Sequence, residues 1–447
     1  MTVIELDRDA FLDPPPASRP PISAYRRTGL ALVVVLLAVL GGAAPAAGIR
    51  WRYLGAITSA LSADAPVELA GGQVFTVDTG GTEPAVTAWS PRTPPAKLWT
   101  TRLPGTRGGV VPAASVTIRQ AGEVTLLTAG VATTAVDTAT GQVRWSSPIA
   151  VTVLPGSGIG VAVDRVFRPG TEYDQESGAP GPLYFSATGE PHTEPPLRTD
   201  VRGLDLSDGR TRWTVAPGGS VTVDQVRGDR PAVLITSSRK LTLVGGDTGR
   251  TLREVELPQF AGRGPASGSL LGDVALISYQ SPGRQVAFDA RTLRRLWTRT
   301  VPELVADPAD CQGVLCDGEH GDLRVLDPGT GAARWRVQED VDLAVRAGYV
   351  LETDAASGEP VRLTDPRTGV TRVDLTGWTQ DVAGAADEPL VLRRREKGGL
   401  AFAAVVPGHA EIHRLGAAAA GLGECDSDGR YLVCRSSGGL RVWAYRI

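Results

Sequence analysis

Few residues in this 447-residue chain are of types that do chemistry, and their spacing limits what they can do. Four cysteines fall as two close pairs, Cys311 with Cys316 and Cys425 with Cys434. An even number in local pairs predicts two short disulfides formed in an oxidising compartment. Cys-x4-Cys is not a zinc spacing with partners in reach, and His320 alone does not complete one. His409 and His413 stand four apart, which makes a metal face only on a helix, and the surrounding sequence reads as a strand hairpin. Asp426-Ser427-Asp428-Gly429 starts like a calcium loop but lacks the closing Glu, so it reads as a turn. Gly156-Ser157-Gly158-Ile159-Gly160 has no strand-loop-helix context for a phosphate and reads as a loop. Arg227-Gly228-Asp229 carries no assignable chemistry, and no nucleophile-elbow, zincin or kinase motif occurs. Carboxylates remain as candidate acids or bases. Asp137, Asp205, Asp289, Asp327 and Asp365 recur at one place in a repeated phrase, which marks them as turn-formers rather than general bases.

That phrase organises the chain. It runs as two or three apolar residues, Asp, a turn ending in Thr-Gly, three residues and Trp: AVDTATGQVRW at 135–145, GLDLSDGRTRW at 203–213, AFDARTLRRLW at 287–297 and VLDPGTGAARW at 325–335. Degenerate copies lie at 88–99, 243–253, 363–373 and 404–414. Positions equivalent to the Asp are 90, 137, 205, 245, 289, 327, 365 and 406, with steps near 41 except for one of 68. A strand-rich period of roughly 40–45 is the signature of propeller blades. In each copy a strand should end at the Asp, whose carboxylate accepts turn N–H groups. Gly141, Gly209, Gly331 and Gly369 supply positive φ, and the returning strand carries Trp99, Trp145, Trp213, Trp297 or Trp335. An indole at one fixed place per blade can pack between neighbouring sheets. Arg253, Val373 and Arg414 replace it, predicting weaker contacts there. The final GGLRVWAYRI stops before a Trp strand, which predicts closure of the ring by N-terminal residues.

Composition agrees. Lys+Arg 46 against Asp+Glu 49 leaves a formal charge of −3, so no nucleic-acid partner is expected. Gly 54 and Pro 33 suit many short strands and turns. No Asn occurs, which excludes N-linked glycosylation. Residues 29–49 are uncharged and open with GLALVVVLLAVL, long enough to span a bilayer core of ~30 Å. We expect a signal anchor there, or alternatively a cleaved signal peptide, after a Pro-rich cytoplasmic tail at 1–28. A linker at 50–69 and an extracytoplasmic propeller at 70–447 should follow, in a plasma membrane.

The phrase resembles the repeat of pyrroloquinoline-quinone-like (PQQ-like) β-propellers, the group of quinoprotein alcohol dehydrogenases and outer-membrane assembly factor B lipoproteins. The resemblance runs from about residue 70 to the C-terminus and implies an all-β propeller of eight blades, with seven as the alternative. It does not fix function, since the group contains enzymes and scaffolds. Quinoprotein dehydrogenases imply PQQ and Ca²⁺ held by Asn and carboxylates, beneath an adjacent Cys-Cys disulfide. This chain has neither Asn nor adjacent cysteines, so no enzyme activity, cofactor or metal is expected. A protein-binding scaffold at the cell envelope is the expected function, with a ligand sensor acting through a cytoplasmic partner as the alternative. The step of 68 marks an insertion whose Glu172, Tyr173, Asp174, Glu176, Tyr184 and Phe185 form the candidate docking loop. Only Lys97, Lys240 and Lys397 stand among the 46 basic residues, a bias resembling GC-rich bacteria such as actinobacteria.

Overall fold

The computed structural model describes residues 50–58, 65–79, 83–104, 116–174, 176, 181–302, 311–318, 321–337 and 339–447. The tail and the membrane segment expected at 1–49 lie outside them, as does His320. Among the described residues no helix is long and apolar enough to cross a membrane.

Each repeat folds as a short antiparallel sheet, and these sheets succeed one another as blades. Blades 1 to 8 occupy 68–102, 116–147, 151–215, 221–256, 267–300, 316–337, 341–374 and 380–419. Blade 9 is composite. Its strands Leu422–Ser427, Tyr431–Ser436 and Gly439–Arg446 are completed by Arg50–Ile57 from the other end of the chain. The described residues therefore form nine blades, not the eight or seven expected. The eight phrase-bearing repeats make eight blades, and the unfinished last unit makes a ninth once the N-terminal strand joins it. Within the stretch 50–69 expected as linker, residues 50–57 form a strand and residues 68 and 69 begin another, Glu68–Ala70.

Strand alternation places apolar residues on both faces of every blade, because each sheet is sandwiched by two neighbours. The buried side chains separate into nine clusters, one for each junction between consecutive blades. One of them joins Leu54, Ile57, Val433 and Val442 of blade 9 to Val67 and Val74 at blade 1, which closes the ring. Because strands alternate in direction, first-to-second and third-to-fourth turns lie on one face, called here the turn face. Second-to-third turns and interblade connections lie on the other.

Blade 6 departs from the plan. The strand Cys311–Gln312 pairs in parallel with Val341–Arg346, the innermost strand of blade 7, and leaves blade 6 with three strands.

Candidate functional site

The repeated phrase folds into a turn that locks each blade to the one before it. Asp137 Oδ1 accepts N–H groups from Ala139 at 3.1 Å and Thr140 at 2.9 Å, and the Thr140 hydroxyl at 2.9 Å. Its Oδ2 accepts Arg144 at 2.5 Å. The same arrangement recurs at Asp205 with Arg212, Asp327 with Arg334 and Asp365 with Arg372. Arg144 holds the Asp137 carboxyl down to about 2, with help from Thr140. The Ser207 hydroxyl and Arg212 hold Asp205 at about 2, and Arg372 does the same for Asp365. These carboxylates are shifted toward the ionised form and engaged by their turns, which is the opposite of a general base tuned toward neutrality. The arginine seven residues after each Asp was missed in the sequence reading. Its signal was the arginine directly before Trp in three copies and before Val373 in a fourth.

The glycine of each turn has a second purpose. Gly141, Gly209, Gly249, Gly331 and Gly369 have φ between +63° and +73°. A Cβ on any of them would lie 2.6–2.7 Å from an indole of the preceding blade: Trp99, Trp145, Trp213, Trp297 and Trp335 in turn. Each Trp Nε1–H also donates to a carbonyl of that next turn, at Thr138 (2.9 Å), Leu206 (2.8 Å), Gly246 (2.7 Å), Pro328 (2.9 Å) and Pro366 (3.3 Å). Across its own sheet Trp faces Ala88, Ala135, Gly203, Ala287 or Val325, mostly small residues that leave room for the ring. Where Trp is absent the glycine is absent too. Arg253 of blade 4 precedes a turn with Leu293, which holds φ +54° and is buried among Leu241, Leu243 and Leu257. Val373 of blade 7 precedes a turn with Ala410.

Innermost strands expose a free edge to the central channel, and side chains from neighbouring blades satisfy it. Asp426 of blade 9 accepts Leu69 N–H of blade 1 at 2.7 Å, and Glu68 of blade 1 accepts Ile118 N–H of blade 2 at 3.0 Å. Arg119, on the same strand as Ile118, donates to Ile118 O at 2.8 Å, and Gln225 of blade 4 donates to Val153 O of blade 3 at 2.7 Å. Burial pushes Glu68 up to about 7 against the opposing pull of Arg119, and burial pushes Asp426 to about 6. A cavity of about 890 Å³ opens beside these edges between blades 2 and 3. Its walls include Thr117, Arg119, Gln120, Thr152 and the Pro155–Gly158 turn. The glycine-rich stretch singled out in the sequence is thus the first turn of blade 3 at the channel mouth.

The insertion lies between the second and third strands of blade 3, on the face opposite the turns. Its core is a hairpin pairing Tyr184 with His192 and Phe185 with Pro191. His192 is buried, stacked on Phe167 with ring centroids 3.8 Å apart, and its Nδ1 shares a hydrogen bond with Thr171 Oγ1 at 3.1 Å. Tyr173 N–H donates to Pro191 O at 2.9 Å, and Glu172 forms a single bridge to His192. Ala187 packs onto the cluster between blades 2 and 3. Asp174 Oδ1 accepts the Glu176 N–H, which caps the local turn. The six candidate residues therefore belong to one ordered substructure, but only Phe185 presents a large apolar side chain to solvent, at 55% exposure. Leu197 at 59% and Val166 at 43%, joined by Leu197 N–H to Val166 O, are also exposed at the ends of the insertion and were not named from sequence.

Both disulfides form as paired in the sequence. Cys425 and Cys434 face each other across two strands of blade 9 and are buried. Cys311–Cys316 does not join two strands of a single blade. It links the strand added to blade 7 with the first strand of blade 6, and so ties two blades together. His409 lies in a third-to-fourth turn, with His413 on the strand that follows. Asp428 caps the first turn of blade 9 by accepting Arg430 and Tyr431 N–H at 3.0 and 2.8 Å. Among the described residues no group of three His, Cys, Asp or Glu side chains is placed to hold a metal.

Residues 197–377, from the third strand of blade 3 through blade 7, match the family model of outer membrane protein assembly factor BamB. No curated protein sequence matches the chain. Among solved structures, a eukaryotic initiation factor is 8% identical, covering 84% of this chain and 96% of its own, with TM-score 0.51. BamB from Moraxella catarrhalis is 14% identical over 88% of this chain and 100% of its own, with TM-score 0.39. A europium-containing methanol dehydrogenase is 11% identical over 89% and 93%, with TM-score 0.38. The repeat, the family match over residues 197–377 and the succession of blades together support a PQQ-like β-propeller.

Proposed function

We propose that this chain is a non-enzymatic scaffold that captures a protein partner at the cell envelope, tethered to the plasma membrane by residues 29–49. The observation that carries the reading is the insertion of blade 3. Inserted between the second and third strands of blade 3, this hairpin is held by buried His192 and offers Phe185, Leu197 and Val166 to solvent. A fixed apolar group among polar neighbours is the anatomy of a protein-docking surface. The match to the BamB assembly-factor model over residues 197–377 supports the same class of function. The recurring aspartates support it too, since each is engaged by its own turn.

Deleting the whole insertion would expose the cluster under Ala187, so point changes are the cleaner test. Phe185→Asp and Leu197→Asp in the full-length chain should leave its melting midpoint unchanged and abolish cross-linking to its partner in intact cells. Cross-linked bands of unchanged intensity would argue against this surface.

A further inference from the structure

The repeat makes equivalent positions comparable, and one of them carries a pattern. Five residues after the turn Asp stand Arg210, Arg250 and Arg294 in blades 3, 4 and 5, all exposed. Elsewhere that position holds Pro95, Gln142, Ala332, Val370 or Glu411. Three arginines on consecutive blades therefore line one arc of the turn face. At the same junction the interblade lock is replaced: the tryptophan site of blade 4 is Arg253, which is exposed, and Leu293 fills the space beneath. Arg295, also exposed, begins the outer strand of blade 5. Arg250, Arg253 and Arg295 form no ion pair among the described residues. Arg210 has one surface partner, Asp208 at 3.6 Å. The carboxylate nearest Arg294, Asp289, is engaged by its turn. Residues 221–300 hold twelve basic and seven acidic side chains in a chain that is acidic overall.

We infer that the rim of blades 3 to 5 is a docking track for an extended acidic segment of a partner protein. The inference rests on the scaffold reading above and adds a second surface, on the face opposite the insertion. Guanidinium groups match carboxylates in a planar two-point fork and are less strongly hydrated than ammonium groups. The track is curved: Arg210, Arg250 and Arg294 lie on the turn face, whereas Arg253 and Arg295 lie on outer strands. A flat lipid surface resting on the turn face does not follow that path, and an extended chain does. Outer strand Thr251–Glu256 also supplies a free sheet edge, with Leu252 55% exposed beside Arg253. An added strand there would gain backbone hydrogen bonds and place one apolar side chain against Leu252.

The test uses the purified full-length chain and a short fluorescent peptide repeating Glu-Glu-Leu. Anisotropy should show saturable binding that weakens as salt rises from about 50 mM to about 300 mM. The triple variant Arg250→Glu, Arg253→Glu, Arg294→Glu should lose about tenfold or more in affinity. The control triple Arg92→Glu, Arg367→Glu, Arg430→Glu changes the charge equally outside the arc and should bind as wild type. Gln in place of Glu at the three arc positions covers misfolding of the first variant and should also weaken binding. Absence of saturable binding, or equal loss in arc and control variants, would overturn the proposal. So would arc-dependent binding of phosphatidylglycerol vesicles without binding of the peptide. Phe185→Asp should leave peptide binding intact, so failure of the track is read separately from failure of the insertion as a docking surface.

Discussion

Leu293→Gly, Arg253→Trp and the two combined form a double-mutant cycle on the junction between blades 4 and 5. At five other junctions a tryptophan lies over a turn glycine, and the two residues require each other. Leu293 occupies the glycine position with φ +54° and only 5% exposure, so it both strains the backbone and fills the space. Removing its side chain should cost about 2–5 kcal/mol, as for buried leucines generally. Relief of the left-handed conformation offsets about 1 kcal/mol of that, leaving a net loss of about 1–4 kcal/mol. Arg253→Trp alone cannot seat the indole against Leu293, and should change stability by less than about 1 kcal/mol. Together the two should rebuild the lock, with the indole buried on Gly and its N–H reaching the Ala290–Thr292 turn. The coupling energy expected is about 2 kcal/mol or more in favour of the double variant. Calorimetric melting of the four proteins at one pH measures it. Additivity within about 0.5 kcal/mol would refute the claim that tryptophan and glycine act as one unit.

Three further outcomes follow from the closure and the cysteines. Burial raises Glu68 from 4.5 to about 7, so its contribution to stability is fully present below pH 4.5 and declines as pH rises to 7. Glu68→Gln keeps an acceptor for Ile118 N–H, so it should raise stability at pH 8 by at most about 3 kcal/mol, seen as a higher melting midpoint, and change it little at pH 4. Equal destabilisation at both pH values would contradict the assignment. Dithiothreitol should open half-exposed Cys311–Cys316 before buried Cys425–Cys434, read by alkylation and mass spectrometry. Replacing Cys425 and Cys434 by Ser should cost about 2–3 kcal/mol, the closure entropy of so short a loop.

Much of the fold was legible because its information is local. The Asp turn, the glycine and the returning Trp lie within eleven residues of one another, and each copy folds from its own sequence. The number of blades was not legible, because blade 9 is assembled from residues 50–57 and 422–446, far apart in the chain. A phrase count cannot see a blade without a phrase. The partner of each Trp was equally hidden, since Trp297 and Gly331 belong to different repeats. So was the blade joined by Cys311–Cys316, which depends on a parallel pairing to blade 7.

The candidate site divides in the same way. The sequence by itself determined that residues 165–200 are an excess over the repeat, because a period of about 41 makes a step of 68 visible. It also determined that the recurring aspartates are turn-formers, since periodic recurrence is the mark of architecture. Only the tertiary structure decided that His192 locks the insertion, that Phe185 and Leu197 are its exposed apolar residues, and that Arg210, Arg250, Arg253, Arg294 and Arg295 share one rim. The physical reason is that turn formation is settled by a residue and its near neighbours. Exposure and charge adjacency belong to surfaces that exist only after separate blades have packed side by side.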